Sequence, residues 1–330
     1  MPAVDGLRAV AVSLVVFIHA VPTTTFPGEI GVDIFFVISG FLITLILLKG
    51  VARTGTIRLG RFYAGRALRL YPPLIVVTLA TVLVALFPGQ SFADATRSAL
   101  VALLYLGNIF MTVTGHWIGD LSHTWSLAME EQFYLVWPAA LIVLIAARVR
   151  RGRIVGGLAL VALAMTLAWF LTGADHPFSP LTRGIGLIVG CALAILTGRS
   201  RWYSPTLSAV GAVTLVVAMT AATIGALPHI AMTPIAVLAV SPILLHLAYG
   251  GGWPVTLLSA PAAVYLGVIS YEIYLWHYPI FAVLLRGGVL PPWGVAAVGV
   301  LITLALSVAT HRLVSAPVLR WRDRRRAASL

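Results

Sequence analysis

Acidic side chains are scarce in this 330-residue chain, where 10 Asp and Glu stand against 22 Lys and Arg, a formal net charge of +12. Charged residues of both signs make up only 10% of it, 60% is hydrophobic, and mean hydropathy is +1.01. So little polar sequence excludes an ordinary soluble domain and leaves no room for a separate one. Cysteine is nearly absent. Cys191 stands alone in an apolar run, which excludes an internal disulfide and a CxxC metal site. An HExxH pattern, a GxSxG elbow and a low-complexity region are all missing, and no inverted or parallel repeat of the transporter kind is visible. The first apolar span has no basic n-region before it and no A-x-A-like cleavage site, so it is expected to be retained.

The positive charge is confined to short clusters. Lys49, Arg53, Arg58, Arg61, Arg66 and Arg69 fall in one stretch without an acid. Arg148, Arg150, Arg151 and Arg153 form a second cluster, Arg199 and Arg201 a third, and Arg320 to Arg326 a fourth. Basic clusters between apolar spans follow the positive-inside pattern, which argues against nucleic acid and places these segments in the cytoplasm. Apolar runs lie at about 8–22, 32–48, 71–87, 98–113, 132–147, 154–172, 184–198, 206–226, 231–249, 262–285 and 293–314. With the N-terminus and all four clusters inside, the number of crossings must be even. Basic clusters flank 71–147, so only two of its three runs can cross. Residues 98–113, which hold Asn108, are set aside as a re-entrant or surface segment, tolerated where protein or water satisfies the backbone.

The expected fold is therefore all-α and polytopic, with about ten transmembrane helices, one additional apolar segment and both termini cytoplasmic. The membrane domain covers 1–319, and residues 320–330 form a basic tail suited to an anionic inner leaflet. A basic set with Lys49 as its single lysine fits a high-GC bacterial genome, hence a bacterial plasma membrane.

Ionisable groups inside such spans mark the candidate chemistry. Arg8 and His19 are eleven residues apart in an otherwise apolar helix. Eleven residues turn close to three whole turns and rise roughly 16 Å, so both share one face, about half a membrane apart. Either this is a snorkelling Arg and a core His, or it is a functional stripe. Asp33 opens the second span at the outer boundary and could support His19 as a general base, or simply face water. Arg66 and Arg69 share a helical face beside Arg58 and Arg61; paired guanidiniums suit a phosphorylated ligand, and equally lipid headgroups.

The densest polar stretch runs from His123 through Ser126, Glu130 and Glu131 to Pro138, and capping explains one of its acids but not both. Its H-x-E order is not a zinc pattern, and no metal is expected. Ser270 to Pro279 carries Glu272 and His277 among four aromatics, and Glu272 is too deep for an interfacial belt and wants a partner. His116, His176, His229, His246 and His311 lie in loops or near span ends and carry no evident chemistry.

Taken together, the blocks DGLRA with His19, GVDIFFVISGFLIT from Gly31, FYAGRALRLYP from Phe62, HTWSLAMEEQFYLVWP from His123 and SYEIYLWHYPI from Ser270 resemble the acyltransferase-3 family of integral membrane O-acyltransferases. The resemblance covers residues 5–280, with the blocks in family order. It implies a ten-helix domain that takes an acyl group from cytoplasmic acyl-CoA and delivers it to a hydroxyl, commonly on a sugar. It places the family's R-x10-H motif on Arg8 and His19, and its RxxR motif on Arg66 and Arg69. Two departures stand out: Gly65 occupies a position often held by a further Arg, and Ser315-Ala316-Pro317 replaces a Glu-Arg-Pro.

On this reading Arg8, Arg66 and Arg69 clamp the donor's phosphates at the inner mouth, and the thioester arm runs along the first helix to His19. His19 acts as general base or as a transient acyl carrier, oriented by Asp33, Glu130 or Glu131. Acetyl is the default acyl group, since nothing suggests a long lipid cavity. The acceptor is a hydroxyl of a glycan or glycosylated molecule. The rival from another class is a transporter whose polar path is lined by Arg8, His19, Asp33 and Glu130.

Overall fold

A computed structural model describes residues 1–87, 91–172, 177–197 and 202–327. Arg199, Arg201 and His176 lie outside the described residues. Among the described residues every regular element is a helix. In chain order these are α1 (Pro2–Ala20), α2 (Ile30–Thr54), α3 (Leu59–Val84), α4 (Phe92–Leu103), α5 (Gly107–Thr114), a 3-10 turn (Gly119–Thr124), α6 (Trp125–Ala146), α7 (Arg151–Thr172), α8 (Pro180–Arg183), α9 (Ile185–Thr197) and α10 (Pro205–Thr223). After a short 3-10 turn follow α11 (Met232–Tyr249), α12 (Trp253–Leu258), α13 (Pro261–Val268), α14 (Ser270–Gly287), α15 (Pro292–Thr310), a π-helical turn (His311–Ser315) and α16 (Ala316–Ala327).

Each of the ten apolar runs expected to cross falls on one of these helices. Eight helices are long and apolar enough to span a membrane, or nine when α13 and α14, broken at Ile269, count as one. The remaining run is the shorter apolar helix α9, Ile185–Thr197. The segment set aside, 98–113, is split between α4 and α5, 12 and 8 residues long, and neither can cross. The break is local: Tyr105 takes φ +52°, a left-handed conformation that no α-helix continues through. The chain is a polytopic all-helical membrane protein.

The residues group into two compact units. One comprises Met1–Ile18, Pro22–Ile57 and Met129–Val268. Its centre is α2 against α9, and small residues bring the two backbones together. A Cβ at Gly40 would run into the Leu187 carbonyl, one at Gly190 into the Val37 carbonyl, and one at Gly186 would come within 2.9 Å of Phe36 Cβ. In lipid, where burying apolar surface does not drive helices together, such close approach supplies the dispersion contact that does. The outward faces of α7 and α10 remain apolar: Leu160, Leu163, Leu167 and Leu171 on one, Val210, Val213 and Val217 on the other are exposed at helical spacing. A bilayer covers such stripes.

The other unit comprises His19–Val21, Arg58–Ala128 and Ile269–Leu330. Here side-chain hydrogen bonds tie α14 to its neighbours. Tyr271 Oη donates to the Leu70 carbonyl of α3 at 3.1 Å, and Trp276 Nε1 to Thr310 Oγ1 of α15 at 2.9 Å. Tyr274 Oη bonds the His123 carbonyl at 2.8 Å and lies 2.6 Å from Ser126 Oγ. Arg286, in the last turn of α14, makes a bidentate pair with Asp120, both contacts at 2.6 Å. The π-helical turn carries α15 into α16, which lies along α3 with Arg322 Nη1 3.5 Å from the Gly65 carbonyl.

Candidate active site

His19 ends α1, and three separate elements of its unit bring further rings to it. Its imidazole centroid lies 5.0 Å from that of His277 at an interplanar angle of 64°, and 5.0 Å from the Tyr278 ring at 76°. His123, from the 3-10 turn, lies 5.2 Å from His277 and stacks on Tyr278 at 5.1 Å and 23°. Three imidazoles and a phenol therefore form one contiguous cluster. His277 is wholly buried and His123 nearly so, at 0% and 4% exposure, while His19 and Tyr278 are half-buried. Of the three imidazoles, His19 is the one that keeps exposed surface. Among the described residues, no three His, Cys, Asp or Glu side chains converge in a way that could hold a metal ion, so ring contact here is not a ligand set.

The tautomer of His277 is fixed by its surroundings. Its Nδ1 lies 2.6 Å from the Tyr274 carbonyl, which can only accept, so Nδ1 carries the hydrogen. In the neutral ring Nε2 then presents a lone pair. That atom is buried and has no hydrogen-bond partner among the described residues.

Asp33, Glu130 and Glu131, singled out from the sequence, belong to the other unit. Asp33, 1% exposed near the start of α2, accepts from Arg183 Nη2 at 3.1 Å, and Thr233 Oγ1 approaches the same oxygen at 3.4 Å. Arg183 Nη1 also donates to Thr233 at 2.6 Å, and its guanidinium covers the Trp169 ring at 5.3 Å. Glu130, half-buried on α6, accepts from Ser39 Oγ at 2.9 Å, and Glu131 follows it, also half-buried. Arg8 shares α1 with His19, as the eleven-residue spacing requires, and lies 3.8 Å from Asp5. Arg66 and Arg69 sit one turn apart in the first half of α3, the former half-buried and the latter exposed. Within this unit, then, the structure gathers His19 with His123 and His277, and it places Arg66 beside Arg69.

Three features escaped the sequence reading. The convergence of His123 and His277 on His19 is tertiary, although both lie in blocks already conspicuous for polarity inside apolar sequence. Arg183 stands alone in a short turn after Pro180, with no pattern to signal its burial at 7% exposure. The partner that Glu272 needs is His311, whose Nδ1 lies 3.1 Å from Glu272 Oε1, a histidine set aside as without chemistry.

Against known proteins, residues 1–312 match the acyltransferase-3 family model, whose description is an acyltransferase domain. The chain belongs to this family, and so is an acyltransferase domain. Among its relatives is the peptidoglycan O-acetyltransferase OatA of Listeria monocytogenes, 34% identical over 85% of this chain and 49% of that protein. The putative peptidoglycan O-acetyltransferase YrhL of Bacillus subtilis is 31% identical over 85% of this chain and 48% of its own length. A putative O-acetyltransferase of Staphylococcus aureus is 28% identical over 98% of this chain and 59% of that one. The chain thus spans about half the length of the curated relatives it matches. No solved structure matches it.

Proposed function

We propose that this protein transfers an acetyl group from cytoplasmic acetyl-CoA to a hydroxyl of peptidoglycan or a chemically similar cell-wall glycan, at a bacterial plasma membrane with both termini inside. The observation that carries the reading is His19, half-buried beside the buried rings of His277 and His123 in the last turn of α1, the apolar helix that also carries Arg8. The names of the relatives supply the acceptor class.

Arg66 and Arg69, one turn apart and not fully buried, offer forked donors that fit the donor's phosphates. The slim thioester arm then presents the acyl carbon to His19. A neutral imidazole nitrogen of His19 takes the proton from the acceptor hydroxyl as its oxygen attacks the acyl carbon. The new C–O bond forms, the C–S bond breaks, and the thiolate of CoA takes the proton back from His19, so that no net proton is consumed. In the two-step variant His19 is itself acylated before the hydroxyl attacks.

The test uses the full chain in proteoliposomes with radiolabelled acetyl-CoA and soluble peptidoglycan strands. The expected result is label on the glycan, removable by mild base as an ester. Uptake of glycan or sugar without cleavage of the thioester would replace the enzyme with a transporter.

A further inference from the structure

We propose that Arg322, on α16, belongs to the donor site and supplies a guanidinium for a phosphate group of acetyl-CoA, at a place where α3 has none of its own. The proposal rests on the reading of Arg66 and Arg69 as donor-binding residues. At about 100° per residue, positions 61, 65 and 69 follow one stripe of α3, each about 40° further round and roughly 6 Å further along than the last. Arg61 and Arg69 stand at the two ends of this stripe, both exposed, and Gly65 stands in the middle. The stripe is thus a row of guanidiniums interrupted at the one residue without a side chain. No acid lies anywhere in α3.

The interruption is where α16 reaches α3. Arg322 Nη1 lies 3.5 Å from the Gly65 carbonyl oxygen. That is long for a hydrogen bond, and in an α-helix the same oxygen accepts from the amide four residues on, here that of Arg69. The Gly65 carbonyl therefore locates the guanidinium without saturating it. Arg322 Nε donates to the neighbouring Asp323 at 2.8 Å, and among the described residues Nη2 makes no hydrogen bond. The side chain keeps 22% exposure. A guanidinium held through two nitrogens, with the third still able to donate toward solvent, suits an incoming phosphate oxygen. The other arginines of α16 are placed differently: Arg320 and Arg324 are exposed, and Arg325 covers the Trp321 ring at 4.4 Å. The phosphate has two sources, the donor's nucleotide and the headgroup of an anionic lipid, and the stripe shared with Arg69 favours the nucleotide.

Two variants separate charge from support, in proteoliposomes of the full chain with acetyl-CoA and soluble peptidoglycan strands. Arg322→Gln keeps a hydrogen-bonding side chain and drops the charge, whereas Arg322→Lys keeps the charge. Arg322→Gln is expected to raise KM for acetyl-CoA about tenfold with kcat unchanged, as loss of one charge-assisted bond predicts. Arg322→Lys should stay within about threefold of the parent. Arg324→Gln, about 200° round α16 from Arg322, should keep the parent's KM. Each protein is assayed in vesicles of phosphatidylcholine alone and in vesicles that also contain phosphatidylglycerol. The same rise in both assigns the nucleotide. A rise confined to the phosphatidylglycerol vesicles assigns a lipid headgroup and overturns the proposal. So would the parent's KM in Arg322→Gln, a loss carried by kcat alone, or an equal rise in Arg324→Gln. If Arg66→Gln and Arg69→Gln also leave KM unchanged, the donor-site reading itself falls. If they raise KM while Arg322→Gln does not, only the place of Arg322 in that site falls.

Discussion

The two units treat buried polarity in opposite ways. In the first, the deep charge is neutralised on the spot: Asp33 and Arg183, at 1% and 7% exposure, hold each other, and Thr233 and Trp169 complete the enclosure. In the second, the deepest titratable group of the central cluster, His277, has a carbonyl for its fixed partner and leaves one nitrogen spare. An ion pair this deep is structure, even with Asp33 Oδ1 and Arg183 Nε left without a hydrogen-bond partner among the described residues. It is costly to break and does nothing until broken. A spare nitrogen in a packed ring cluster is a poor stabiliser and a good place to move a proton. The glycines follow the same division, since the seam of Gly40, Gly186 and Gly190 belongs wholly to the first unit.

Six variants can break or sharpen that contrast. The largest effect is expected from His19→Ala, with acetyl transfer reduced by about 1000-fold and the protein still folded and inserted; comparable transfer in mutant and parent would remove His19 from the mechanism. Next comes Arg183→Ala, which strands the buried Asp33 carboxylate and should lower stability by about 3–5 kcal/mol, read as a drop in thermal midpoint in detergent. Replacing both partners, Asp33→Leu with Arg183→Met, should return most of that stability, and failure to do so would mean the pair has a further task.

Smaller again is Gly190→Leu, which drives a side chain into the α2 backbone and should cost about 1–3 kcal/mol, with little effect on the kcat of whatever protein survives. The smallest effect per residue is expected at the membrane mouth. Arg66→Ala and Arg69→Ala should each raise KM for acetyl-CoA about tenfold, as loss of a charge-assisted bond of about 1.5 kcal/mol predicts. An unchanged donor affinity would return both residues to lipid anchoring.

The helices were legible because the solvent is lipid. An apolar run long enough to cross must satisfy its own backbone, and a helix is what remains. The even-number argument from the basic clusters isolated 98–113, and the positive φ of Tyr105 shows why that stretch forms two short helices. The site was legible in parts. His19, Arg66 and Arg69 could be named because ionisable residues in apolar sequence are conspicuous one at a time. Their partners could not, since His277 and His123 reach His19 only after α14 has docked on the 3-10 turn through Tyr274 and Arg286. Arg183 and His311 show the opposite failure. Each looks like an ordinary span-end residue until the fold supplies a buried acid, Asp33 for one and Glu272 for the other.

The turn at His311–Ser315 has a consequence for the basic tail. A π-helical turn holds one residue more than an α-helical one, and each residue accounts for about 100° of azimuth. Deleting a single amino acid there would restore ordinary winding and swing everything beyond it by that angle. Arg322 would leave the carbonyl of Gly65, the neighbour of Arg66, and its charge would face another direction. One surplus residue thus acts as the index mark that keeps the last helix in phase with α3.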